Sequence, residues 1–222
     1  MPMNIAIDGP VGAGKSSIAD QVAQRLHILH LDTGAMYRTV ALYMLRNGID
    51  PQDEQTVSAR CGEADVRVAY RDGAQRTMLG GEDVSDLIRT GEVSAAASAI
   101  SKWPAVRRRM VAAQREIAAT ADMLIDGRDI GTHVLTNAPV KIFLTATPEE
   151  RARRRCLELS ERGTPKAYEE VLREINERDY QDMHRDIAPL REAADAVHFD
   201  TSKLSFEESE QALLNLIQEK LK

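Results

Sequence analysis

MNIAIDGPVGAGKSSIADQVAQRL, residues 3–26, holds the three pieces that decide the fold. Its opening, MNIAID (3–8), is a short apolar run rich in branched side chains and reads as a buried strand. From residue 15 onward Ile18, Val22 and Leu26 recur every four positions with Ala19 and Ala23 beside them, which predicts a helix over 15–27 with one apolar stripe. Between them lies GPVGAGKSS (9–17), where Gly9, Gly14, Lys15 and Ser16 satisfy G-x-x-x-x-G-K-[ST]. Glycines let successive backbone N–H groups turn inward around phosphate oxygens, and the helix N-terminus adds partial positive charge. Gly9, Pro10, Val11, Gly12, Ala13, Gly14, Lys15, Ser16 and Ser17 are therefore expected to hold a nucleoside triphosphate. Lys15 is expected to bridge the β- and γ-phosphates, and Ser16 to offer its hydroxyl to Mg²⁺.

Outward from this unit the chain alternates strands and helices. HILHL (27–31) reads as a second strand, and TGAMYRTVALYMLRNG (33–48) as a helix stopped by Asn47-Gly48. MLID (123–126), VKIFLTA (140–146) and AVHFD (196–200) complete the expected strands. Helices are expected over 92–101 and over 105–121, with Pro104 at the start of the second. TPEERARRRCLELSER (147–162) opens with a cap, a proline and an acidic first turn, and residues 167–187 read as a highly charged helix. SFEESEQALLNLIQEKLK (205–222) reads as a closing amphipathic helix behind a capping-box start. Residues 64–90 differ in grain: ADVRVAY alternates, RDG turns and AQRTML returns, which predicts a hairpin. The class is α/β: a five-stranded parallel sheet flanked by helices, in one domain over 1–222 with a small insert at about 60–95.

The bulk numbers bound the function. Apolar residues make up 43% and charged residues 29% of 222, the balance of a soluble globular protein. No apolar run approaches the ~18 residues of a membrane span. The start lacks the pattern of a secretory signal. Cys61 and Cys156 are too few for a disulfide scaffold and lack metal-ligand spacing, so a reducing cytoplasm is the expected setting. A net charge of −6 argues against binding a nucleic-acid polymer. The cations are 22 arginines and only 7 lysines. Composition alone favours the codon usage of a GC-rich genome, so position must carry any argument about them.

Phosphoryl transfer needs in-line positioning and positive charge where the transferring group becomes most anionic. RARRRCLELSER supplies Arg151, Arg153, Arg154 and Arg155, then Arg162 and a Gly163-Thr164-Pro165 break, the pattern of a helical lid over about 151–168. No N-K-x-D motif is present to read a guanine base. LDTGAMYR (31–38) puts Thr33, Tyr37 and Arg38 at the carboxyl edge of the sheet, and IDGRDIGT (125–132) puts Asp126, Arg128 and Asp129 there too. In ERDYQDMHRDIAPL (177–190), Arg178, Asp182 and Arg185 fall at i, i+4 and i+7 of one predicted helix. Interleaved Arg and Asp suit an anionic acceptor bearing hydroxyls or a base amino group. Asp126 is a candidate to support the metal, or equally a structural carboxylate.

Taken in order, IAIDGPVGAGKSS, LDTGAMYR, GEDVSDLIRT, IDGRDIGT, APVKIFLTA with EERARRR, and ERDYQDMHRDIAPL resemble the bacterial cytidylate kinases across nearly the whole chain. The resemblance implies the P-loop kinase fold and the transfer of the γ-phosphate of ATP to CMP or dCMP with Mg²⁺. It gives Thr33, Tyr37 and Arg38 the acceptor nucleotide, with Arg38 on its phosphate. It gives Ser98, Arg107, Arg128 and Asp129 the cytosine-reading positions, and Arg178, Asp182 and Arg185 the phosphate and the ribose or deoxyribose. Lys15, Arg128, Arg154 and Arg185 become the candidates for charge around the transferring phosphate. A monomer is expected, acting on small molecules without a membrane. A P-loop switch or ATPase, a catalytically silent nucleotide-binding module, and UMP or AMP as acceptor are the rival readings.

Overall fold

Where MNIAID was expected to form a strand, β1 (Asn4–Asp8) lies in the middle of a parallel sheet; the structure, a computed structural model, describes residues 2–221. After the glycine loop come α1 (Lys15–Leu26), β2 (Leu29–Asp32), α2 (Thr33–Arg46) and α3 (Glu54–Arg60). A separate antiparallel sheet follows, built from β3 (Val66–Arg71), β4 (Ala74–Leu79) and the two-residue β5 (Glu82–Asp83). Next are α4 (Gly91–Ile100), α5 (Pro104–Ala118), β6 (Met123–Gly127) and a single π-helical turn at Ile130–Val134. β7 (Val140–Thr145), α6 (Pro148–Glu161), α7 (Tyr168–His184), β8 (Val197–Asp200) and α8 (Phe206–Lys220) complete the chain.

The large sheet has the order β2-β6-β1-β7-β8, with all pairs parallel. Alternation along its central strands separates two cores. Ile5, Ile7 and Leu124 face the layer of α1 and α8, packing with Ile18, Val22, Leu213 and Ile217. Ala6, Met123 and Ile125 face the opposite layer with Leu31, Met36, Met44 and Met110. Each face of the sheet thus buries an apolar set, which is why these strands read as continuous hydrophobic runs. A third, small core joins Ala152 of α6 to Val171 and Ile175 of α7, and Val11 of the glycine loop packs against it.

Helix ends follow the local chemistry. Thr147 caps α6, and Ser205 with Glu208 forms the expected reciprocal capping box of α8. Asp32 and Asp53 cap α2 and α3 through Ala35 N and Thr56 N. The expected helix over 167–187 is shorter: α7 ends at His184, and Arg185 takes an extended conformation. There Leu190 N donates to Asp182 O, Arg185 Nε donates to Ala188 O, and Ala188 adopts φ 48°. Arg185 therefore reaches the site from a tight turn, not from the helical face shared by Arg178 and Asp182.

Candidate active site

The first, second and third strands of the large sheet in chain order, β1, β2 and β6, all point their carboxyl ends at one edge, and the loops there gather the titratable groups. Gly9 has φ 153°, and a Cβ on it would lie 1.9 Å from Leu144 O, so the loop's entry lies flush against β7. The loop's carbonyls need donors of their own. Lys15 Nζ donates to Pro10 O at 2.7 Å, and Arg151 Nη1 donates to Val11 O at 3.0 Å. Burial lowers the Lys15 ammonium to about 7, with the nearby Arg128 adding to the effect.

Ser16 Oγ donates to Asp126 Oδ2 at 2.9 Å. The other oxygen of Asp126 meets His30 Nε2 at 2.8 Å, while His30 Nδ1 lies 3.6 Å from Asp20. Burial alone would lower the His30 imidazolium, but its contacts with Asp126 and Asp20 prevail and raise it to about 10. His30 is thus part of the buried support beneath Ser16. Asp8 accepts from Ile130 N and Gly131 N at 2.7 Å each, closing the open end of the π-helical turn. Its burial outweighs those bonds and raises the carboxyl to about 6.

Beside this lies a second cluster dominated by arginine. Arg107, almost fully buried on α5, pairs with Asp129, which also meets Arg185 Nη2 at 3.4 Å. Arg128 Nε donates to Asp182 at 3.0 Å, and Arg178 Nε stands 3.6 Å from the same carboxylate. Burial works against ionisation of Asp182, yet Arg128, Arg178 and Arg185 hold its carboxyl below the usual range. Arg38 Nη2 pairs with Asp32 at 2.7 Å. Tyr37 adjoins Arg107, Asp129 and Arg185, and burial pushes its phenol up to about 12. Ser98 on α4 donates to Gln181 Oε1 on α7 at 3.4 Å. Thr33 spends its hydroxyl on Asp126 O at 2.7 Å.

Five guanidinium groups here meet three carboxylates, which leaves a surplus of two positive charges. Nε of Arg38 and of Arg178 are buried without a hydrogen-bond partner. Unpaired buried donors are costly, and an incoming oxyanion satisfies them. A cleft of about 370 Å³ opens along Ser16, Ser17, His30, Asp32, Arg38 and Gln75. Gln75 and Tyr70, from the small sheet, bond the backbone of Asp32 and His30. No local signal in the sequence points to these two.

The arginine run of α6 is sorted by the helix. Arg153 and Arg155 pair with Glu150 and Glu158 on the outside. Arg154 is held by Glu150 and by Thr201 Oγ1 and O, and no bond links it to residues 9–17. To reach a bound triphosphate it must first leave those partners. Arg151 is the member of the run that touches the loop.

A sequence profile described as cytidylate kinase matches residues 5–219. The cytidylate kinase of Caldicellulosiruptor bescii is 50% identical over 214 residues, covering 96% of this chain and 95% of that protein. That of Geobacillus kaustophilus is 45% identical over 219 residues, covering 99% and 98%. The crystal structure of an uncharacterized protein from Eubacterium ventriosum is similar in fold, with a TM-score of 0.52 at 10% identity over 97% of this chain and 98% of that one. Among the described residues no helix is long and apolar enough to cross a membrane.

Proposed function

The chain belongs to the cytidylate kinase family, and from that membership and the paired clusters we propose that it transfers the γ-phosphoryl group of ATP to CMP or dCMP. Residues 9–17 hold the triphosphate, with Lys15 on its β- and γ-oxygens. Arg38, Arg128, Arg178 and Arg185 hold the acceptor phosphate, with Asp182 orienting three of them and reading a sugar hydroxyl. Ser98, Arg107 and Asp129 read the cytosine edge, whose amino donor and two acceptors require both kinds of partner. The acceptor phosphate is already ionised at neutral pH, so the chain's work is orientation and charge, without a general base. Residues of about 60–95 serve as the acceptor-binding insert and those of about 151–168 as the lid, which excludes water from the bound triphosphate.

Mg²⁺ fits the donor side. Ser16 directs its hydroxyl proton to Asp126 Oδ2, which leaves the oxygen's lone pairs free for a hard cation. Ser16 would hold the ion, with Asp126 and His30 behind it. The ion's contribution is to neutralise charge on the phosphate oxygens.

The observation that carries this reading is the arginine surplus, with its two unsatisfied buried Nε–H groups, beside the phosphate loop. A coupled assay comparing CMP, dCMP, UMP and AMP tests it. CMP or dCMP is expected to turn over fastest. Lys15→Ala is expected to lower kcat by about 10²–10³ or more with the fold retained. A UMP rate equal to that of CMP overturns the assignment of Ser98, Arg107 and Asp129, and phosphate release without any acceptor favours an ATPase.

A further inference from the structure

Arg151 is 3% exposed and has three partners on three different segments. Its Nε donates to Ala146 O at 2.8 Å, at the end of β7. Its Nη1 donates to Val11 O at 3.0 Å, on the phosphate loop, and lies 2.6 Å from Asp179 Oδ2 on α7. Packing repeats the same connection. A Cβ on Gly12 would meet Arg151 Cβ at 3.5 Å and Ile175 Cδ1 at 3.8 Å, and Val11 packs into the small core of α6 and α7.

The position of Asp179 gives this contact its meaning. It follows Arg178 directly and precedes Asp182 by three residues, so one helix turn holds the loop's tie and two acceptor-side groups. A buried ion pair is a poor source of stability, since an apolar side chain of similar volume avoids its desolvation cost. Arginine's planar fork can instead fix two carbonyls and a carboxylate in one geometry, which a point charge cannot do. Asp179 Oδ1 is buried without a partner. The carboxylate is therefore held through one oxygen only, on the side that faces Arg151.

We propose that Arg151, through Asp179, is a positioning residue that couples the phosphate loop to the acceptor helix α7, so that each nucleotide tightens the other's site. This rests on the donor and acceptor assignment above. Once the acceptor draws Arg178 and Arg185 onto its phosphate, α7 shifts as a unit, and Asp179 carries the shift through Arg151 to Val11. The loop's N–H groups then settle on the triphosphate.

Calorimetric titration of a non-hydrolysable ATP analogue, with and without saturating CMP, tests the coupling in the wild type and in Arg151→Lys, Arg151→Met and Asp179→Asn. In the wild type CMP is expected to tighten analogue binding by about fivefold or more. Arg151→Met should weaken analogue binding by about tenfold and bring the CMP enhancement to about one. Arg151→Lys should fall between, because a single ammonium nitrogen cannot span partners reached from both Nε and Nη1 of the guanidinium. Asp179→Asn keeps both carbonyl bonds, so analogue affinity alone should stay within about twofold while the enhancement is lost. Arg151→Met is the variant at risk of misfolding; circular dichroism checks it, and Asp179→Asn carries the test in its place. Full CMP enhancement in Asp179→Asn with only a lowered Tm makes the pair a packing feature and overturns the proposal, as does a wild type without enhancement. Should CMP fail to bind the wild type while UMP or AMP binds, the acceptor assignment falls instead, and the same cycle is read with that nucleotide.

Discussion

The proposed phosphate role of Lys15 has a consequence for its proton. Its ammonium is almost fully buried against Pro10 O, and burial with Arg128 nearby lowers it to about 7 from 10.5. A triphosphate reverses that balance, since an adjacent anion favours the charged amine. Between pH 7 and 10 the free site therefore holds less than one proton at Lys15, and the occupied site holds one. Binding must take up a proton, and affinity must fall as pH rises through this window. Calorimetry of ATP binding at pH 8.5 in Tris and in Bicine should give heats that differ by the buffers' ionisation enthalpies, for an uptake approaching about one proton. Equal heats in both buffers would mean that Lys15 is charged before the nucleotide arrives. Gly9 serves the same preparation passively: no side chain fits 1.9 Å from Leu144 O.

Elements are held in register by a few side chains that stand in for backbone. β2 is an edge strand, and its outer backbone groups lack a strand partner. Gln75 of β4 supplies one: Oε1 accepts from Asp32 N at 2.7 Å, and Nε2 donates to Asp32 O at 3.3 Å. Tyr70 of β3 donates to His30 O at 3.0 Å. Because Asp32 also caps α2 and holds Arg38, the small sheet is fastened to the residue that sets the arginine proposed to bind the acceptor. Gln75→Ala should cost about 1–2 kcal/mol in urea unfolding and raise KM for the acceptor more than KM for ATP. An equal rise in both would detach the small sheet from acceptor binding. The elements of the large sheet were legible because strands buried on both faces leave unbroken apolar runs between helix signals. α3 was not, since among its seven residues only Val57 is buried and no period can show. Nor was the end of α7, where Arg185 kept the helical spacing but Ala188 turned the chain. Gly9, Lys15 and Ser16 mark the proposed donor site through local spacing. Arg151 and Gln75 act through partners 140 and 43 residues away, and local pattern carries no trace of that. The positions proposed to read cytosine came from resemblance, not from chemistry visible in the string.

On the scale of the molecule, the two cores share one sheet, and the donor cluster beneath the loop is wired into its centre through β1 and β6. Protonation in that cluster should therefore be felt in global stability, and two groups act in opposite directions. His30 rises from 6.5 unfolded to about 10 folded. Its contribution is complete below 6.5 and is lost as pH climbs through 10, because the folded state holds the extra proton. Lys15 falls from 10.5 to about 7, so over pH 7–10.5 the unfolded state holds the extra proton and stability gains with pH. The opposed slopes overlap between about pH 7 and 10 and should leave the nucleotide-free protein nearly flat there. Removing either partner exposes the other. In urea unfolding at pH 7, 8 and 9, Lys15→Met should lose stability with rising pH, and His30→Gln should gain it, each by at most about 1.4 kcal/mol per pH unit. Glutamine can still donate to Asp126, so the loss of a hydrogen bond does not mask the sign. If both variants stay as flat as the wild type, neither side chain titrates in the window, and the cluster under Ser16 keeps its charges fixed through folding.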